Sequence, residues 1–391
     1  MSDDYSLGLN SDLHPLGEFL EIIKERREGP LPIYSVTLRD GMQRRDGLGR
    51  IIQSDLNNED NLFAAKNDIC YNMMRMWQGA SGIAPEDCLV SPAYVVCRPN
   101  EDLHPSFAAH LLKSEQAKKS FVDRSQGVTS DRWRLYPEEF LKIRLPIPPL
   151  REQKKIAEIL SGIDKRIHLA NKRITQLDIL LRSLGEKYFG PETQCEVKRI
   201  GEIFEICSGT TPSRSRRDYF CRNGGTPWIK TMDLNDDHVR TTDEQLTFAA
   251  IREGRARRFP RGTLLVAMYG GWNQIGRTGI LAQESSCNQA MSALLPAEGI
   301  LPDFLNLQLV IRRSYWRSVA ASSRKDPNIA KSDVSEMPIF VPPFYEQTEI
   351  ARTLGSVIKS SRKEADYLES LLMLKQSLAS DLLSGRKRVS V

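Results

Sequence analysis

The sequence predicts an α+β protein with two globular domains and two long helices, on three observations. The chain repeats itself, each repeat closes with an apolar heptad, and the intervening stretches mix short strand-like runs with turns. At 391 residues it also exceeds what one ordinary core organises, so two domains are expected.

The repeat comes first because it sets the rest. Ile147-Pro148-Pro149-Leu150-Arg151-Glu152-Gln153-Lys154-Lys155-Ile156-Ala157 returns as Val341-Pro342-Pro343-Phe344-Tyr345-Glu346-Gln347-Thr348-Glu349-Ile350-Ala351, 194 positions on (148 to 342). The register then holds without a gap, matching Leu160 to Leu354, Ile163 to Val357, Leu177 to Leu371 and Leu184 to Leu378. Upstream, Leu16 to Ile22 resembles Ile200 to Ile206, and Tyr34 to Thr37 aligns with Trp228 to Thr231, which places about ten extra residues near Ser208 to Gly225. The order is therefore a globular domain over 1–147, a helix over 148–190, a second globular domain over 191–340, and a second helix over 341–391.

Each helix has its own start signal. Pro148-Pro149 suits a first turn, where no amide hydrogen is needed, and Glu152 there faces the positive end of the helix dipole. Ile156, Leu160, Ile163, Ile167, Ala170, Ile174, Leu177, Leu181 and Leu184 then alternate in steps of four and three, a coiled-coil seam. Gly190-Pro191 supplies the stop. The second helix repeats Pro342-Pro343, Glu346 and Gln347, but Ser361, Glu364 and Lys375 interrupt its seam, which predicts pairing over part of its length. The residues expected in helix or subunit packing are Pro148, Pro149, Glu152, Gln153, Ile156, Ile163, Leu177, Pro342, Pro343, Glu346, Gln347, Ile350 and Leu371. A rod of 35 to 40 residues measures roughly 55 Å at 1.5 Å per residue.

Between the helices the chain reads as strands and turns, with helical patches at Phe107 to Lys119 and Leu301 to Ala320. In the second domain Phe259 to Gly270 predicts a turn leading into a buried strand. Before it come Ser208-Gly209-Thr210-Thr211-Pro212-Ser213, then Arg214, Arg216 and Arg217, then Gly225-Thr226-Pro227-Trp228-Ile229-Lys230. After it comes Gly271-Trp272-Asn273-Gln274. Small hydroxyls, arginines and amides on glycine-bearing loops are the side chains that reach phosphates and base edges. An ordinary solvated loop would have the same composition, and Trp272 equally suits a core. The first domain's counterparts are Lys66 to Gly79 and the basic loop Arg39 to Arg45.

Composition bounds the function. The net charge of +5 and a pI near 8.7 suit contact with phosphate over part of the surface, not a polycation. Seven scattered cysteines with no C-x-x-C pair point to reduced thiols. Met1 to Asn10, with Asp3 and Asp4, lacks a signal peptide's apolar core, and no stretch approaches 18 apolar residues, so a cytoplasmic chain without a membrane span is expected. Five histidines pair with no second ligand at helical spacing, and neither nucleotide-binding glycine motif occurs. Asp233, Asp236 and Asp237 cluster near His238, but in a polar turn with no second acidic cluster, short of what a metal nuclease needs.

Taken together, these residues resemble the specificity subunits of type I restriction–modification enzymes. The likeness covers nearly the whole chain, and its most specific marks are the two Pro-Pro-x-x-Glu-Gln-x-x-Ile helix heads. Gly262-Thr263-Leu264-Leu265 and Asn288-Gln289-Ala290 fit as well. The first domain departs from the pattern, lacking the Ser-Gly-x-x-Pro loop and carrying Ser91-Pro92-Ala93 where the second has Asn288-Gln289-Ala290. The resemblance implies two target recognition domains, separated by two long antiparallel coiled-coil helices with pseudo-twofold symmetry. It implies a non-catalytic, sequence-specific subunit that reads a bipartite site in double-stranded DNA. It further implies two methyltransferase subunits carrying S-adenosylmethionine, and ATP-driven restriction subunits, with no cofactor on this chain. The expected DNA-binding residues are Arg39, Gln43, Arg44, Arg45, Arg75 and Gln78 in the first domain. In the second they are Thr210, Ser213, Arg214, Lys230, Thr231, Trp272, Asn273 and Gln274. The alternatives are a coiled-coil scaffold with no DNA role and a specificity subunit of a related modification system.

Overall fold

The two helices span 40 residues each, Leu150–Phe189 and Phe344–Leu383. The structure, a computed structural model, describes residues 13–27, 29–47, 60–129, 132–320 and 327–390. The N-terminal stretch considered above for a targeting signal lies outside them. Both helices start alike. The Pro149 carbonyl accepts from the amides of Glu152 and Gln153 at 2.9 and 3.1 Å, and that of Pro343 from Glu346 and Gln347 at 2.9 and 3.1 Å. The prolines thus sit just before the first turn, not within it. Each Pro-Pro keeps the carbonyl that starts the hydrogen-bond ladder and lacks only the donor.

The chain divides into two compact units, 1–171 with 366–391, and 172–365. Each contains one head and half of each long helix. In the first unit Ile156, Ala157 and Leu160 share a core with Leu382 and Leu383, and Asp164 binds Lys375 at 2.5 Å. In the second, Leu181, Leu184 and Phe189 pack against Ile350, Leu354 and Ile358, and Arg173 binds Glu364 at 3.2 Å. Advancing along one helix means retreating along the other, so the helices are antiparallel. Two of the polar residues that were expected to end the pairing instead continue it. Lys375 and Glu364 each meet an opposite charge across the seam.

The heads share one topology. In the first, strands Leu20–Ile23, Tyr94–Pro99, Ile69–Asn72 and Ser81–Ile83 form a sheet in that order. The second repeats it with Ile206–Ser208, Met291–Leu294, Leu264–Ala267 and Thr278–Leu281, and adds Asp237–Val239. Leu264–Ala267 is buried on both faces, as its unbroken apolar run predicts. A second sheet in each head holds a parallel pair, Ile33–Thr37 with Cys88–Val90 and Thr226–Ile229 with Ser286–Cys287. Tyr34 opposes Val90 and Trp228 opposes Ser286, so the aligned residues Tyr34 and Trp228 both lie in the parallel pair, with the register shifted by one residue between the heads. Just beyond, Ser91 Oγ accepts from the Ala93 amide at 3.3 Å, and Asn288 Oδ1 from the Ala290 amide at 3.1 Å. Serine and asparagine therefore build the same turn from different side chains.

Both long helical patches are broken. Residues 107–119 fall on Pro105–Leu111 and Glu115–Arg124, because Ser114 caps the second helix by accepting from the Ala117 amide at 3.2 Å. Residues 301–320 likewise form Pro302–Ile311 and Tyr315–Val319. Among the described residues no helix is long and apolar enough to cross a membrane, and no group of His, Cys, Asp and Glu is placed to hold a metal ion. The seven cysteines are free thiols.

Each head is fixed to its helix by one buried amide. Gln153, 1% exposed, accepts from the His104 amide at 2.8 Å and donates to the carbonyls of Asp102 and Pro148, both at 2.8 Å. Gln347, also 1% exposed, accepts from Leu301 and donates to Gly299 and Pro342, all at 2.9 Å. Nearby in the first unit, His110 Nε2 lies 3.1 Å from Ser161 Oγ, and its ring is 3.9 Å from Asp164. Burial lowers its pKa from 6.5 to about 4.

Two predictions follow from this docking. Gln153→Leu and Gln347→Leu should each cost about 1–3 kcal/mol per buried partner left unpaired, read as a lower urea midpoint. His110 is neutral when folded but protonates below about 6.5 when unfolded, so its stabilisation is complete above that pH and is lost as pH falls toward about 4. The unfolding midpoint should therefore drop between about pH 7 and pH 5, and His110→Gln should flatten that part of the dependence.

Candidate nucleic-acid interface

In the first head the basic loop is a hairpin, Ile33–Thr37 paired with Gly41–Arg44, with Ser35 opposite Gln43. Thr37 Oγ1 accepts from the Asp40 amide at 3.0 Å and donates to the Gly41 carbonyl at 3.1 Å, which closes the tip. The proposed readers differ in what they already bind. Gln43 donates to the Asp40 carbonyl at 3.1 Å, Arg44 pairs with Asp46 at 3.1 Å, and Arg45 donates to Ser35 Oγ at 3.1 Å. Arg39 stands exposed at the tip, and its carbonyl accepts from Lys113 Nζ at 3.2 Å. Arg75 is exposed at the entry to the short helix Met76–Gln78, on which Glu115–Arg124 packs. Neither Arg39 nor Arg75 makes an ion pair among the described residues. Gln78 is half-buried beside Gly79.

The second head gathers its predicted residues onto three loops. Thr210 is tied down by its backbone: its amide donates to the Cys287 carbonyl at 2.8 Å, and its carbonyl accepts from Trp228 Nε1 at 3.2 Å. Gly209 makes this possible, because a Cβ there would lie 2.1 Å from the Asn288 carbonyl oxygen. Ser213 Oγ lies 2.8 Å from Ser215 Oγ. Arg214 grips Glu244 with two bonds, 2.6 and 3.1 Å, and lies over the rings of Phe220 and Trp228 at 4.4 and 4.7 Å. Lys230 Nζ reaches the same carboxylate at 3.5 Å. The hydrogen bond from Arg214, with help from Lys230, holds Glu244 below the ordinary carboxylate range. Arg214 and Lys230 are thus oriented by Glu244 and have part of their charge already matched.

The other two loops meet. Gln274 Nε2 donates to Met232 Sδ at 3.4 Å, which brings the Trp272-Asn273-Gln274 loop against the short helix Thr231–Asp233. Met232 is 72% exposed and Trp272 44%, with the Arg317 guanidinium 5.9 Å from the Trp272 ring centre. Trp272 is therefore a surface ring. Asn273 is exposed beside it. This edge of the head offers an aromatic face, a thioether, two amides and cations on one rim.

The acidic cluster is spent on scaffolding. Asp233 accepts from the Lys230 amide at 2.7 Å, and burial raises its pKa. Asp236, with φ +61°, accepts from the Thr278 amide at 3.0 Å and from Arg313. Asp237 takes Arg362 of the second long helix at 2.6 Å, while Arg362 also reaches the Asn235 carbonyl at 3.1 Å. His238 pairs with Asp303 at 3.0 Å. Arg362 thereby ties the long helix to the turn that follows Lys230–Asp233. In the first head, Lys113 beside the Asp164–Lys375 pair holds the tip at Arg39.

Gln126, Arg132, Arg134 and Tyr136, which no repeat or loop motif marks, wall with Met74 a concavity next to Arg75 in the chain. Its only signal was the Arg132-Trp133-Arg134 alternation beyond Gly127.

Comparisons with known proteins agree with this architecture. The family model for the type I restriction modification DNA specificity domain matches twice, at residues 16–178 and 192–371. The MjaIX type I restriction enzyme specificity subunit of Methanocaldococcus jannaschii is 27% identical over 46% of this chain and 42% of its own length. The MjaVIII specificity subunit of the same organism is 24% identical over 96% of this chain and 92% of its own. The chain spans 42% to 61% of the length of three of the curated relatives it matches. In fold, the type I restriction–modification system S subunit from M. genitalium superposes with a TM-score of 0.62 at 16% identity, covering 98% of this chain and 99% of that one.

The loop bearing Trp272 to Gln274 returns through Gly276, which has φ +71° and where a Cβ would lie 2.0 Å from the Trp316 ring. Gly276→Ala should therefore cost at least about 1–3 kcal/mol and shift the emission of the buried Trp316, as followed by tryptophan fluorescence during urea unfolding.

Proposed function

We propose, because this chain belongs to the family of type I restriction modification DNA specificity domains, that it is the DNA-reading subunit of a restriction–modification enzyme. Its two heads each recognise one part of a bipartite duplex site. One observation carries this reading: a single head design, docked by the same buried glutamine, occurs twice with differently furnished loops. Repetition of the scaffold suits two binding events on a regular polymer, and divergence of the loops suits two different base sequences. The gap between the half-sites is then a property of the two long helices that join the heads.

Arg39 and Arg75 in the first head, and Arg317 in the second, supply cations for backbone phosphates, while Arg214 and Lys230, held by Glu244, shape the loop between them. Gln43, Gln78, Asn273 and Gln274 supply amides, which can bind adenine through two hydrogen bonds. Trp272 offers a flat apolar face for a sugar or a thymine methyl group. Methyl transfer and cleavage belong, on this reading, to partner chains. Two methyltransferase subunits would bring S-adenosylmethionine, restriction subunits would consume ATP, and the assembly would work in the cytoplasm.

The test is to map methylated adenines in a cell containing this subunit and its partners. Methylation confined to a two-part sequence with a fixed gap is the expected result. Methylation that is unchanged when this chain is deleted would end the proposal. Within that assay, Gln274→Ala should cost about 1–3 kcal/mol of discrimination at one position of one half-site and leave the other half-site untouched.

A further inference from the structure

The concavity beside Arg75 in the first head has a wall of Met74, Gln126, Arg132, Arg134 and Tyr136 and encloses about 470 Å³. We propose that it is a phosphate cradle for the backbone of duplex DNA, a contact that holds the first head on its half-site without reading bases. The proposal rests on the reading of the chain as a DNA-binding subunit and adds a site to it.

Unspent charge is the first argument. Arg132 and Arg134 are both exposed, and among the described residues neither makes an ion pair and no carboxylate lines the concavity. Arg75 follows Met74 directly and likewise makes no ion pair among the described residues. Elsewhere in the protein comparable arginines are neutralised, as Arg214 is by Glu244 and Arg216 by Asp218. Bringing two cations to one concavity without a counter-charge among the described residues is unfavourable in the free protein and favours whatever anion relieves it.

Rigidity is the second. Gln126 and Arg134 exchange both backbone hydrogen bonds, at 3.0 and 2.9 Å. Between the two arginines Trp133 packs edge-on against Trp77, ring centres 5.5 Å apart. Leu135 is fully buried; its amide donates to the Met73 carbonyl at 3.0 Å, and its carbonyl accepts from the Tyr71 hydroxyl at 3.2 Å. Trp133, packed on Trp77, lies between Arg132 and Arg134 in the chain, and both arginines line the concavity. The backbone at Arg134 is thus held by the core, while among the described residues neither guanidinium has a partner that would fix it for a particular base. That combination suits phosphate oxygens, which recur along any sequence and accept from Arg in several geometries. The Gln126 amide and Tyr136 hydroxyl add neutral donors at the rim.

The experiment uses the chain assembled with its partner subunits and a duplex bearing the mapped site, alongside a scrambled duplex. For the Arg132→Ala/Arg134→Ala variant, the slope of log affinity against log salt should fall by about 2. The affinity loss should be the same on both duplexes, and the methylated sequence should not change. The Arg132→Lys/Arg134→Lys variant keeps the charge and should keep the slope, which separates lost contact from misfolding. An unchanged slope in the alanine variant overturns the cradle, as does a loss confined to the mapped site, which would mean base reading. If the unsubstituted assembly bound both duplexes equally, the reading of the whole chain as a specificity subunit would fail instead.

Discussion

A primary amide buried at the fourth position of a helix leaves little room for error. Gln153 and Gln347, both buried, each satisfy their amide with three hydrogen bonds to main-chain groups. In each unit two of those bonds reach the loop before a head helix, and the third returns to the carbonyl of the first proline. The head is thereby set on the long helix in one orientation, and every loop that could meet DNA inherits it. Apolar packing around Leu160 and Leu354 supplies most of the burial, but apolar contacts are non-directional and would tolerate a rotation that the amide does not.

The helix pair uses polar residues to the same end. A seam built only of leucine and isoleucine fixes that two helices associate and leaves their register weakly specified. Asp164 with Lys375, and Arg173 with Glu364, penalise a slip by the spacing of one turn, since a slip would leave part-buried charges unpaired. Their worth is in uniqueness of register more than in stability. Register matters here because the heads ride on the helices. Arg362 bound to Asp237, and Lys113 bound to the carbonyl of Arg39, pass that placement on to the loops of the second and first heads.

On the heads, the useful distinction is between arginines that hold the protein together and those that have nothing to hold. Arg214 and Arg313 are committed to Glu244 and Asp236 and shape the surface from within. Arg39, Arg75, Arg132 and Arg134 have no counter-charge among the described residues. Sequence alone cannot sort these two kinds, because the partner of Arg214 lies thirty residues away and that of Arg313 seventy-seven.

The sequence by itself determined the repeat, the two helices and their seam, and the correspondence of the heads down to Tyr34 with Trp228. These are properties of local periodicity and of residues matched at a constant offset, and both survive in one dimension. It also singled out Gln153 and Gln347, although it could not say that they dock the heads. Only the tertiary structure decided that Lys375 and Glu364 continue the seam and that Asp233, Asp236 and Asp237 are scaffold. The same holds for the meeting of Gln274 with Met232 and for the pocket made by Arg132 and Arg134 with Met74. Each of those outcomes depends on which distant charge or amide folds to within about 3 Å of another, at which range a hydrogen bond exists or does not.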